Sequence, residues 1–275
     1  MQRTEIANII LEKLQRNEQS LLHMFSNSFK EIGYFYVDDL LPKEIALELE
    51  KYFPLEKDMV LKKSLKEYKY VSAQMNKHDP LLEEVLFAFQ DERIVKFIAS
   101  ICKIETNILP DSSLYAGGLS LMREDCFLNP HLDNSHDSNR ESWRVLNLLY
   151  YVTNNWEKQY GGNLELWPKG PKKESIEIVS KFNRLVVMAT HNQSWHSVNK
   201  VKNDVGRKCI SNYYFSKVPL DRHTNFHVTS FKGRPNQKLR NFVLSIDGKL
   251  RMGIRKLFKK GIRKNPHIYK KDNEK

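Results

Sequence analysis

A mainly β fold, an antiparallel sandwich or barrel with α-helical support, is what this chain predicts, and three observations predict it. From about residue 113 onward, short apolar or alternating segments follow one another: SLYAGGLSLM, RVLNLLYYVT, GNLELW, SIEIVS, RLVVMAT, HSVNKV and RKCISNYYFS. Turn residues punctuate them, namely Gly161-Gly162, Pro168-Lys169-Gly170-Pro171 and Asp204-Val205-Gly206. Few helix-length gaps separate these segments, as expected of strands that pair antiparallel with close neighbours. Such a barrel offers a cavity at its mouth where a ligand or metal can sit.

Upstream the texture is helical. Ile6, Ile9, Ile10, Leu14, Leu21 and Leu22 recur at helical spacing, which predicts a helix over 5–24 with Phe25 directly after it. GYFYVDDLLP then reads as a strand running into a helix at 43–52, started by Pro42, and 80–103 reads as helix again. Beyond the strands, Leu239, Phe242, Val243, Ile246, Leu250, Ile254, Leu257 and Phe258 form an apolar stripe among basic residues over 237–258. The expected organisation is an N-terminal support over 1–112, a β core over 113–217 and a basic helical extension over 218–275.

The 275 residues, 40% hydrophobic and 28% charged, describe an ordinary globular chain. No apolar run approaches the roughly 20 residues needed to cross a bilayer. The N-terminus lacks a signal-peptide core, so a cytoplasmic setting is the default expectation. Cys102, Cys126 and Cys209 are odd in number and without CxxC spacing, which argues against a disulfide framework and a thiolate metal site. The net charge of +12 is localised: residues 232–275 hold fifteen Lys/Arg and three Asp/Glu, so the preceding 231 residues are neutral. Two readings of the basic stripe stand side by side: packing against the barrel or a second subunit, or contact with an anionic surface. Nucleic acid is disfavoured, because the tail has few aromatics on which bases could stack.

The residues that carry chemistry are His131-Leu132-Asp133, then His196, then Arg207. Two imidazoles and one carboxylate are the ligand set that holds a non-haem Fe(II) on one face and leaves the opposite positions open. Side chains two apart on a strand point the same way, so His131 and Asp133 can reach one ion while Leu132 faces away. Pro130 suits the start of that strand. A guanidinium after the second histidine can clamp a carboxylate of a bidentate co-substrate. Each residue alone is unremarkable, since HxD tripeptides arise often in surface turns; the ordered set carries the reading.

In that order, NPHLDNS, LNLLYYVTNNWEKQYGGNLELW, NRLVVMATHNQSWHSV and GRKCISNYYFS resemble the 2-oxoglutarate- and Fe(II)-dependent oxygenases, in the prolyl-hydroxylase-like branch. GYFYVDDLLPKEIALELEKYFP resembles the family more weakly. The resemblance implies a double-stranded β-helix, a jelly-roll of the cupin kind. It implies iron ligands at His131, Asp133 and His196, Arg207 on the distal carboxylate of 2-oxoglutarate, and Fe(II), 2-oxoglutarate and O2 as cofactors, with ascorbate optional. Succinate and CO2 would be released. Because Asp133 stands where halogenating relatives have a small residue, hydroxylation is the implied outcome.

Two departures affect the co-substrate pocket. Relatives often carry a tyrosine about ten residues before the first ligand, where this chain has Leu121 and then Met122. Cys209 stands where a serine often follows the arginine, with Ser211 and Tyr213 on the same strand face as alternatives. Asn147 interrupts an apolar strand and is a further candidate for the co-substrate. His191 is the weaker rival of His196. His136 and Asp137 are candidate substrate contacts at the cavity mouth, and Trp143, Trp156 and Trp167 read as core or rim residues. The expected activity is hydroxylation of a small-molecule or carrier-borne substrate, an amino acid or sugar unit. A peptidyl-prolyl substrate, or a non-catalytic jelly-roll binding protein, are the alternatives.

Overall fold

The computed structural model describes residues 1–258 and 268–270. Its elements run α1 (Arg3–Arg16), α2 (Glu18–Ser28), β1 (Tyr34–Val37), α3 (Lys43–Lys51), β2 (Val60–Lys63), β3 (Glu67–Ser72), α4 (Pro80–Ala88) and α5 (Glu92–Ile101). Then come β4 (Ile108–Pro110), β5 (Gly118–Met122), β6 (Phe127–Leu132), β7 (Trp143–Tyr151), β8 (Leu164–Leu166) and β9 (Ile176–Ile178). β10 (Arg184–Ala189), β11 (His196–Val198), β12 (Arg207–Ser216), β13 (Ser230–Phe231) and α6 (Lys238–Leu257) complete the described chain.

All the strand pairs among these residues are antiparallel, in the order β1-β10-β7-β12-β5-β3-β6-β11-β8-β9, with β13 on β6, β2 on β3 and β4 on β12. This is the curled sheet of a jelly-roll, as the strand texture predicts. Strands β1 to β4, from the segment expected to act as support, belong to the same sheet as the core.

Period-two alternation divides β7 and β12 between two environments. Leu146, Leu148, Tyr150, Ile210 and Tyr214 face the helices and join a core with Ile6, Ile10, Phe25, Leu86 and Ile98. Asn147, Leu149, Cys209, Ser211 and Tyr213 face inward and line a cavity of about 1240 Å³. The helices cover one face of the sheet and leave the other free for a ligand. Burying each large aliphatic side chain against them contributes roughly 1.5–3 kcal/mol.

The two long helices expected at 5–24 and 80–103 are each divided. Asn17 closes α1, its side-chain amide donating to Lys13 O at 2.8 Å, and α2 starts beyond it. Asp91 ends the second run by capping α5, accepting from Arg93 N at 2.9 Å. Pro130 does not start its strand: β6 begins at Phe127, and Pro130 lies at a bulge, where four residues of β6 (Leu128 to His131) face three of β11 (His196 to Val198). A residue without an N–H is tolerated there because the ladder is already interrupted.

The basic helix decides against one of the arrangements left open for its stripe. Its apolar stripe does not pack on the barrel: Leu239 is 79% exposed, Phe242 64%, Leu250 63% and Leu257 82%. The face turned to the barrel carries Asn241, Leu244, Ser245, Arg251 and Arg255, with Leu244 alone fully buried. The expected reach of the extension over 259–267 and 271–275 lies outside the described residues. Among those described, no helix is long and apolar enough to cross a membrane.

Candidate active site

His131 on β6 and His196 on β11 are direct cross-strand partners, and their ring centroids lie 4.1 Å apart. Asp133 follows one residue after the end of β6, on the same face as His131, while Leu132 points elsewhere. The candidate donor atoms of these three side chains all lie within 4.8 Å of one another. His131 Nε2 is 3.6 Å from Asp133 Oδ1, and His196 Nε2 is 3.7 Å from Oδ2.

The backbone fixes both imidazoles. His131 Nδ1 lies 3.0 Å from Asn129 O and His196 Nδ1 lies 2.9 Å from Ser194 O. A carbonyl only accepts, so each Nδ1 carries the proton and each Nε2 keeps its lone pair aimed at the common point. Phe231 on β13 stacks on the His131 ring at 5.1 Å and holds its plane.

Charge is tuned to the same end. Burial, then the neighbouring His196, holds the His131 imidazole down to about 3, so it is neutral at ordinary pH. Burial alone would raise the Asp133 carboxyl, but Arg144 and the two imidazoles outweigh it and hold the group at about 2. Asp133 Oδ2 is buried with no hydrogen-bond partner. Two free imidazole lone pairs converging on an unsatisfied carboxylate oxygen fit a divalent iron.

One consequence is testable on the metal-free protein. His131 and His136 are both held at about 3 in the fold, whereas an unfolded histidine titrates near 6.5. Below about 6.5 the unfolded chain takes up protons that the folded chain refuses, so stability falls as pH drops from 6.5 toward 3. Melting temperatures measured between pH 7 and 5 are expected to fall steadily, and a flat profile would contradict the neutral, buried imidazoles.

Arg207 opens β12 and is 3% exposed. Its Nε donates to Ser180 Oγ at 3.1 Å, its Nη1 lies 3.6 Å from Met122 Sδ, and its guanidinium sits 4.7 Å from the Tyr151 ring centroid. Among the described residues it has no carboxylate partner. A buried cation without a counter-ion is costly and calls for an anion. Asn147, 2% exposed, lines the same cavity with its Oδ1 unpartnered. Ser211 Oγ donates to Gly118 O at 3.0 Å and keeps acceptor capacity toward the cavity. The place where relatives have tyrosine is divided: Met122 reaches the cavity beside Arg207, and Leu121 is buried in the core.

The paired glycines explain how Arg207 is reached. A Cβ on Gly161 would stand 2.0 Å from Lys200 O, and one on Gly162 would meet Arg207 Cδ and the Trp156 ring at 3.2 Å. Both residues have positive φ, 68° and 64°, which favours glycine. Gly162→Ala is expected to displace the guanidinium and raise several-fold the KM of an anion bound there, with a stability loss of about 1–2 kcal/mol. Steady-state kinetics and thermal melts would check both.

Other candidates separate cleanly. Both ring nitrogens of His191 are engaged, Nε2 with Ile32 O at 2.9 Å and Nδ1 with Gln193 N at 3.2 Å, away from the triad. His136 lines the cavity, whereas Asp137 caps a turn, accepting from Asn139 N and Glu141 N at 3.1 and 2.9 Å. Trp156 and Trp167 are buried, and Trp143 packs at the edge of the main core.

Arg144 is a residue the sequence did not indicate. Its Nη1 is 3.4 Å from Asp133 Oδ1, it lies 4.4 Å from the Tyr213 ring centroid, and its Nε is buried without a partner. Strict alternation would place it with Leu146 on the helix-facing side. A register shift against β12, where Tyr214 pairs Leu146 and Phe215 pairs Arg144, re-aims it into the cavity.

Residues 117–216 match the family model described as the 2OG-Fe(II) oxygenase superfamily. Among solved structures, the chain is similar to a Pseudomonas putida prolyl-4-hydroxylase, at 14% identity over 71% of this chain and 97% of that one, with a TM-score of 0.50. A prolyl hydroxylase from Trichoplax adhaerens, in complex with a hypoxia inducible factor oxygen degradation domain peptide fragment, matches at 17% identity over 74% and 92%, with a TM-score of 0.48. A 2OG-Fe(II) oxygenase family oxidoreductase from Burkholderia pseudomallei matches at 15% identity over 74% and 94%, with a TM-score of 0.49. No curated protein matches the sequence.

Proposed function

We propose, on the footing that residues 117–216 match the 2OG-Fe(II) oxygenase superfamily model, that this chain hydroxylates a small molecule or a carrier-borne unit. The enzyme class uses Fe(II), 2-oxoglutarate and O2, with ascorbate optional, and the bound iron supplies activation of O2 coupled to decarboxylation of 2-oxoglutarate. In this proposal His131, Asp133 and His196 hold the iron, and Arg207 receives the distal carboxylate of 2-oxoglutarate. Asn147 and Ser211 offer it further hydrogen bonds.

The observation that supports this best is the pairing of two unsatisfied features in one cavity: the converging triad and the buried, uncompensated Arg207. An iron ion would be the missing partner of the triad, and a carboxylate of 2-oxoglutarate that of Arg207. The chain's own part is to orient the ligands through backbone carbonyls, to neutralise a carboxylate, and to shield the centre from bulk water. A small substrate is favoured because α6 and residues 268 and 270 add to the walls of the cavity. A reducing, cytoplasmic setting belongs to the proposal; the three cysteines are buried and free.

Anaerobic titration with Fe(II) and then 2-oxoglutarate is the test. A visible metal-to-ligand charge-transfer band is expected. Well-folded protein that gives no band would overturn the assignment and leave a jelly-roll binding protein as the reading.

A further inference from the structure

Among the described residues, eight Lys/Arg and two carboxylates line the cavity, an imbalance that persists after each ion pair is assigned. Lys69 pairs with Glu67 at 3.0 Å, Lys66 and Arg251 share Asp247 at 2.8 Å each, and Arg144 approaches Asp133. Two cavity arginines remain without a carboxylate partner among the described residues, Arg207 in the interior and Arg255 on α6. Elsewhere the protein neutralises comparable arginines: Arg234 makes a two-pronged pair with Glu165, and Arg184 with Asp38.

Arg255 is nonetheless held in place. Its Nη2 donates to His136 Nε2 at 3.0 Å, and the His136 ring is 4% exposed and packed 4.6 Å from Phe226. Burial, then the surrounding arginines, holds the His136 imidazole at about 3, so it accepts this bond as a neutral group. A neutral acceptor positions a guanidinium without cancelling its charge, which an aspartate in the same place would do. The inverted packing of α6 has the same sense: the helix leaves its apolar stripe in water and turns Arg251 and Arg255 toward the cavity.

Resting on the oxygenase reading, we propose that Arg255, positioned by His136, binds an anionic group of the prime substrate, so that the substrate is a small molecule carrying a phosphate or a carboxylate. Arg207 would already be occupied by the co-substrate, and Arg255 is the arginine left to select among substrates. The site is assembled from the loop after β6 and from α6, so the basic extension is part of substrate recognition.

The test uses the full chain, loaded anaerobically with Fe(II) and saturating 2-oxoglutarate, and calorimetric titration with glucose 6-phosphate, glucuronate and glucose as probes. At least one anionic probe is expected to bind roughly tenfold or more tighter than glucose, about 1.4 kcal/mol. Which one does so separates phosphate from carboxylate. Arg255→Glu is expected to abolish the preference and Arg255→Lys to retain part of it. Lys249→Glu, on an exposed position of α6 outside the cavity lining, should leave the preference intact. Equal binding of the three probes, no binding of any, or a preference that survives Arg255→Glu would overturn the proposal. The charge-transfer band is recorded on the same samples: its absence sinks the oxygenase reading itself, whereas a normal band without anion preference sinks only this inference.

Discussion

Asp133→Ala is expected to abolish the charge-transfer band and to lower 2-oxoglutarate turnover at least roughly a thousandfold. Even an outer partner of a metal ligand is worth about 10–100-fold, and Asp133 is the single anionic member of the triad. The substitution also removes the carboxylate nearest to Arg144, whose guanidinium is 4% exposed and has no other acid within ion-pair distance among the described residues. Leaving one partner of a buried pair behind typically costs about 3–5 kcal/mol. The apoprotein should therefore melt at lower temperature as well. His196→Ala separates the two effects, since it removes a ligand and leaves the Asp133–Arg144 contact in place. It should lose the band and turnover with a smaller fall in melting temperature. Retained turnover in either variant, with iron bound, would refute the ligand assignment.

Arg207→Met carries the opposite signature. Loss of a two-pronged, charge-assisted contact with a carboxylate removes about 3 kcal/mol, so the 2-oxoglutarate KM should rise roughly a hundredfold. Stability should move the other way. The guanidinium is buried without a counter-ion, and replacing such a charge with a well-packed apolar side chain is often neutral or stabilising, by about 1–4 kcal/mol. A variant that melts higher while binding the co-substrate far more weakly would show that Arg207 is kept for its ligand and not for the fold. If Arg207→Met instead lost stability and kept its KM, the arginine would be structural.

What could be read from the residues alone follows the rule of alternation. His131, Asp133, Arg207, Cys209, Ser211 and Tyr213 obey period two along uninterrupted stretches, and the cavity face of β12 is the face that the spacing predicts. Arg144 escaped because a register shift breaks the alternation between β7 and β12, and a bulge leaves no mark in the hydrophobic pattern. Ser180 escaped because its contact with Arg207 joins a loop to a strand 27 positions away. The β2–β3 hairpin was passed over because VLKK and EYKYVS are rich in Lys and Glu, yet Glu67, Lys69 and Val71 alternate toward the cavity as a strand requires. Helix periodicity identified α6 correctly, but periodicity gives a stripe and not the side on which the protein lies. Of the readings left open for the stripe, packing on the barrel is the one the structure does not show.

The inverted packing of α6 also sets an order of events during synthesis. All of the candidate iron and co-substrate residues precede α6 in the chain and so leave the ribosome before Arg251, Arg255, Ile268 and Lys270, which finish the rim. A nascent chain can thus assemble its metal ligands in an open basin, reachable by iron from solvent, before the helix swings across it. For the same reason Lys270 belongs to the rim, while α1 belongs to the helix-covered side of the sheet.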